Sequence, residues 1–167
     1  MTSRQSSAVA DQIVVNASPL IVLARTGRID LLTLAGTPIH VPESVSSEVR
    51  AHSDEAARAL DTVTWLQTVP DAPMLPLIRG WDLGAGESAV LEWAQANLPA
   101  RAIIDDYAAR QLASVLAVPV IGTLGLALLA RQRGMVSLAR PLVEEFARAG
   151  LYLSKPIIER ALRLVGE

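Results

Sequence analysis

An α/β fold with a mostly parallel sheet is the class this sequence predicts, and three observations predict it. Short β-branched or apolar runs alternate along the chain with helical patterns. The helical patterns between them are long enough for βαβ crossovers, which join parallel strands. The runs are rich in Ile and Val, which argues against an all-helical bundle. There is no internal repeat and no low-complexity block.

Taken in order, Ile13–Val15 is the first strand. Pro19–Ala24 and Ile29–Leu34 form one or two short helices, divided near Gly27. Pro38–Val41 is the second strand, and Pro42 falls in the first turn of the following helix, where proline is tolerated. Val45, Val49 and Ala56 continue an apolar face, with Ser53 as the cap of a new helix at Asp54. Thr62–Val69 is the third strand. Pro70–Gly86 holds three prolines and three glycines and reads as a long loop. Glu87–Asn97 is a helix with Ala89, Val90, Trp93 and Ala94 on one face. Arg101–Asp105 is a strand, Asp106–Ala117 a helix and Val118–Ile121 the last strand. Gly122–Arg133 is a helix ended by Gly134, and Leu138–Ala149 and Pro156–Val165 are amphipathic helices.

Composition bounds the function. The chain has 167 residues, 51% hydrophobic and 19% charged, enough for one well-buried core. The polar residues 1–11 read as a flexible N-terminal tail and 12–167 as a single domain. No apolar run approaches the ~18 residues of a membrane span, so no membrane partner is expected. The absence of cysteine excludes disulfides and thiolate metal sites and fits a cytoplasmic protein. His40 and His52 alone do not make a His-rich zinc site. With a net charge of −2, no global basic field advertises nucleic acid. Fourteen arginines stand against one lysine, Lys155. Arginine suits bidentate phosphate contacts, although codon bias explains the excess as simply.

In an open parallel sheet, ligands gather outside the carboxyl ends of the strands. Asn16 follows the first strand there, and Asp105 and Asp106 follow Ile103-Ile104. Glu48, in VPESVSSEV, and Glu87, in LGAGESAV, lie at helix positions that reach the same edge. Four carboxylates in one cleft repel one another and need a counter-charge. An oxygen-only donor set favours Mg²⁺ or Mn²⁺ over zinc. Such ions lower the pKa of bound water and neutralise a phosphodiester in its transition state.

Each residue also has a plain reading. Asp106 and Glu87 suit first helical turns, as Glu43 does. Glu48 suits a solvated helix face, and Ser18 a cap or turn, though its hydroxyl also suits orienting a water. Trp65, Trp81 and Trp93 suit packing. The GTLG at 122–125 lacks the lysine of a P-loop and the spacing of GxGxxG.

The ordered stretches VVNASPLIVLARTGRIDLL, VPESVSSEV, LGAGESAVLEWA, AIIDDYAARQLA and VIGTLGLALLARQRGMV resemble the PIN domains, in particular a stand-alone prokaryotic subfamily. The resemblance implies a three-layer α/β/α fold with a central parallel sheet. It implies an acidic cluster that binds Mg²⁺ or Mn²⁺ and cuts RNA, often as the toxin of a toxin–antitoxin pair. Carried over, the first-strand acid falls on Asn16, the next on Glu48, the third on Glu87, and the fourth on Asp106 with Asp105 beside it. Asn16 departs from the usual aspartate: an amide oxygen coordinates, but it brings no charge and cannot serve as a base.

The first functional expectation is therefore a metal-dependent ribonuclease. Glu48, Glu87 and Asp106 hold the ion, Asn16 and Asp105 assist, and Ser18, Arg25 and Arg110 serve the substrate. Its expected partners are RNA, a small antitoxin and a second copy of the chain; the C-terminal helices read most plainly as caps on the sheet, while apolar faces such as Leu138, Leu142 and Phe146 suit a dimer seam instead. The alternative is a degenerate module that binds RNA or protein without cutting. A phospho-acceptor receiver is a third reading, disfavoured because its acid pair belongs near the first strand.

Overall fold

The computed structural model describes residues 11–167. The tail expected over residues 1–11 lies outside them except for Asp11, whose carboxylate approaches Arg101 at 3.8 Å.

Five parallel strands form one sheet in the order β3-β2-β1-β4-β5. They are β1 (Gln12–Val15), β2 (Ile39–Pro42), β3 (Leu66–Val69), β4 (Ala100–Ile103) and β5 (Val120–Ile121). Central β1 runs Ile-Val-Val because both its faces are covered, so its residues need no polar alternation. Its register pairs Ile13 with Ile39 of β2 and Val15 with Ile103 of β4.

Helices flank this sheet: α1 (Ala17–Arg25), α2 (Glu43–His52), α3 (Asp54–Thr62), α4 (Pro76–Arg79), α5 (Ala85–Ala96), α6 (Tyr107–Val115), α7 (Thr123–Gln132), α8 (Arg140–Arg148) and α9 (Lys155–Arg163). A 3-10 helix covers Ile29–Ala35. Helix α5 packs along β1, β2 and β4, which explains why nearly all its residues from Gly86 to Ala94 are buried. Helix α7 packs against the 3-10 helix, α8 and α9.

The chain leaves β1 toward one side of the sheet and later returns to the other side through β4. The topological switch point is therefore the crevice between the carboxyl ends of β1 and β4, the standard ligand position of an open α/β sheet. Asn16 and Asp105 border it.

Three expectations are corrected. Thr62 to Trp65 are not strand: Thr62 closes α3, its hydroxyl donating to the Arg58 carbonyl at 2.8 Å, and pairing begins only at Leu66. Local β-propensity yields there to helix continuation. The segment Pro70–Gly86 is not structureless. It contains α4, with Pro76 in its first turn, and Ala85 already belongs to α5. The buried Glu92 carboxylate anchors it, accepting from Leu75 N–H at 3.1 Å and pairing with Arg79 Nε at 3.3 Å.

The third correction concerns the face expected to meet a second copy. Leu142 and Phe146 are buried within their own chain, and only Leu138 of that set is exposed. An amphipathic helix has one apolar stripe, and α8 turns it inward against α7. Among the described residues no helix is long and apolar enough to cross a membrane.

Candidate metal and RNA site

Asn16 occupies the N-cap position of α1, where asparagine commonly accepts a hydrogen bond from the first helical turn. It makes no such bond. The side chain instead turns into the crevice, 1% exposed. Its Nδ2 donates to Glu87 Oε1 at 3.2 Å. Its Oδ1 is buried with no hydrogen-bond partner. A buried amide oxygen left unpaired costs free energy on the order of 1–3 kcal/mol, so its orientation demands a reason beyond helix capping.

Gly86 explains the space in front of that oxygen. A Cβ on Gly86 would lie 3.1 Å from Asn16 Oδ1 and 2.6 Å from Glu48 Oε2. The missing side chain thus leaves a small volume onto which an amide oxygen from β1's tip and a carboxylate from α2 converge. A Cβ on Gly84 would likewise meet the Glu87 carboxylate. The two glycines of LGAGE let the start of α5 lie against these acids. Partial burial, and then the negative charge of Glu87, lift Glu48 above the ordinary glutamate range, with His52 opposing.

The Asp105-Asp106 pair points two ways. Asp105 Oδ1 accepts from Thr123 N–H at 2.7 Å, and its Oδ2 accepts from the Thr123 hydroxyl at 2.6 Å. Burial lifts its pKa. The bonds from Thr123, the charge of Arg110 and the Ser18 hydroxyl work against that lift. Asp106 is the N-cap of α6, accepting from Ala109 N–H at 2.8 Å. The expected cluster of four acids is therefore divided: Asn16, Glu48 and Glu87 converge, Asp105 is bound to the start of α7, and Asp106 caps α6. Among the described residues no three His, Cys, Asp or Glu side chains gather closely enough to hold an ion by themselves.

The donor set nonetheless fits a hard divalent cation in one respect. Two carboxylates and an unpaired amide oxygen are oxygen donors of the kind Mg²⁺ and Mn²⁺ take, and both ions keep several waters rather than demanding an all-protein cage. The fit rests on the orphaned Asn16 oxygen beside Glu48, not on a count of acids.

Asn16 and Glu87 open onto a cleft of about 910 Å³ whose lining also includes Ser18, Asp105, Asp106 and Arg110, whereas Glu48 approaches Asn16 from behind Gly86 and does not line it. Arg110 Nη1 donates to the Ile104 carbonyl at 3.0 Å, which holds the guanidinium beside Asp105. Arg25 does not line the cleft. It lies at the far end of α1 and donates to the carbonyls of Ala149 and His52, each at 3.3 Å. The remaining cleft wall was not anticipated from sequence. Gly122, Leu124 and Gly125 had a signal in the GTLG that follows the last strand, and the buried Thr123 among them binds Asp105. Leu151 and Tyr152 come from the link between α8 and α9, Ile157 comes from α9, and these had none. Trp93 is buried and stacks on His40, their ring centroids 4.6 Å apart, which bears out packing for that residue.

A family model described as PIN domain matches residues 12–167 of the chain. No curated protein matches it.

Proposed function

The chain belongs to the PIN-domain family, a nuclease-type fold, and from that premise we propose that it is a Mg²⁺- or Mn²⁺-dependent ribonuclease serving as the toxin of a toxin–antitoxin pair. The observation that carries this reading is the buried, unpaired Asn16 oxygen facing the same space as the Glu48 carboxylate. Asn16, Glu48 and Glu87 would hold the ion. When bound, the ion supplies a water of lowered pKa and a counter-charge for the phosphodiester.

The chain's own residues do the rest. Glu87 accepts the Asn16 amide hydrogen bond, which fixes the direction of the Asn16 oxygen. Asp105, tied to Thr123 and near Arg110, keeps one negative and one positive group at the cleft floor. Arg110 is placed to take a phosphate oxygen beside them. Ser18 reaches Asp105 and borders the cleft. Asp106 acts chiefly by capping the helix that carries Arg110.

The degenerate-module reading has an observation of its own. The Asn16–Glu87 hydrogen bond satisfies part of the crevice without any ion, which an aspartate at position 16 would not do. Turnover separates the two. Purified protein, stripped of any bound antitoxin, is expected to cleave single-stranded RNA with Mn²⁺ or Mg²⁺ and to stop in EDTA. Cleavage that persists in EDTA, or none with either metal, contradicts the proposal.

A further inference from the structure

The acid end of the cleft is poorly suited to gripping an RNA backbone. Glu87, Asp105 and Asp106 there face a single guanidinium, Arg110. Backbone affinity must come from elsewhere. Helix α9 starts at the cleft, whose lining includes Ser154 and Ile157. Arg160 and Arg163 lie on its outer face with the exposed Ile157 and Leu164, and Lys155 stands at its start. Among the described residues none of these three cations forms an ion pair. The acid on this helix, Glu159, is taken by Arg140 through two bonds of 2.8 and 3.1 Å.

Aromatic residues point to the same mouth. The chain has two tyrosines, and both line the cleft. Tyr152 is 97% exposed and Tyr107 is 74% exposed, whereas the one phenylalanine, Phe146, is fully buried. Gln111 Nε2 donates to the Tyr107 hydroxyl at 3.0 Å and braces that ring along α6. Exposed aromatic faces beside a cationic helix are the two parts of a single-strand binding surface: stacking for bases and charge for phosphates.

We infer that α9 and the two tyrosines form a track for single-stranded RNA running out of the cleft, with Arg160, Arg163 and Lys155 on phosphates and Tyr152 and Tyr107 under bases. The inference rests on the reading of the chain as a ribonuclease and supplies the substrate grip that the acid end lacks. The track lies outside the metal site, so it binds RNA without an ion.

The test is fluorescence anisotropy of a short labelled single-stranded RNA of mixed sequence, in EDTA, across a KCl series. A Lys155→Gln/Arg160→Gln/Arg163→Gln variant is expected to flatten the slope of log affinity against log salt by about 2, at ~0.7 per lost phosphate contact. Tyr152→Ala is expected to weaken binding roughly 5- to 100-fold with the slope unchanged. Arg58→Gln, on α3 away from the cleft, is the control and leaves both unchanged. An unaltered slope in the triple variant overturns the track, as does a triple variant that changes only self-association or capture of a protein partner. A parallel cleavage assay with Mn²⁺ separates this from the parent reading. Binding with these determinants but no cleavage by the wild type sinks the ribonuclease and leaves the track standing. Cleavage with no α9 dependence sinks the track alone, and absence of both binding and cleavage sinks both.

Discussion

Glu87→Gln is expected to lower Mn²⁺-dependent RNA cleavage by about 100-fold or more, with little loss of stability. The glutamine carbonyl still accepts the Asn16 amide hydrogen bond, so the local packing survives. One of the two converging carboxylates is lost, and with it a direct ligand charge whose contribution in such sites is several kcal/mol. The Glu48 carboxyl also loses the neighbouring negative charge that helps lift its pKa. Single-turnover cleavage rates and thermal melts of the two proteins check this together. A variant that cuts as well as the wild type would remove Glu87 from the reaction. A variant that unfolds would leave the rate uninterpretable, and for that reason the isosteric amide is preferred to alanine.

Asn16→Asp is expected to act in opposite directions with and without metal. Without an ion, the new carboxylate exchanges a hydrogen bond to Glu87 for repulsion, in a position 1% exposed. A loss of roughly 2–3 kcal/mol follows from the broken bond and the buried charge, or about 5–10 °C in melting temperature for a chain of this size. With Mn²⁺ the added charge is a ligand, so affinity is expected to rise roughly tenfold or more, restoring the melting temperature and raising the cleavage rate. Melting curves in EDTA and in saturating Mn²⁺ measure both effects on one sample. If the variant is destabilised equally in the two conditions, the new carboxylate does not meet an ion and the crevice is not a metal site.

Strand ends are what made the crevice legible in the sequence. Asn16 and Asp105 follow apolar runs by one or two residues, and a parallel sheet brings such tips to one edge. Glu48 and Glu87 were reachable because both lie on helices that run past that edge, whereas the close approach that Gly84 and Gly86 permit was seen only in the structure. The division of labour between Asp105 and Asp106 was not legible. Adjacent acids at the start of a helix differ by one residue in register, and only the tertiary partner, Thr123, decides which one turns inward. Arg25 was misplaced because α1 carries it away from the crevice that α1 begins at. The inward stripe of α8 was equally ambiguous, since an apolar face looks the same whether its own core or a second chain will cover it. Tyr152 and α9 join the cleft from the far end of the chain, and no local pattern announces a contact of that sequence separation.

Whether Asn16, Glu48 and Glu87 together hold a divalent cation is decided by calorimetric titration of Mn²⁺ into the metal-free protein. Saturable binding is expected, lost or strongly weakened in Glu87→Gln and tightened in Asn16→Asp. No saturable binding to the wild type would contradict a metal site there, and so would binding that both variants leave unchanged.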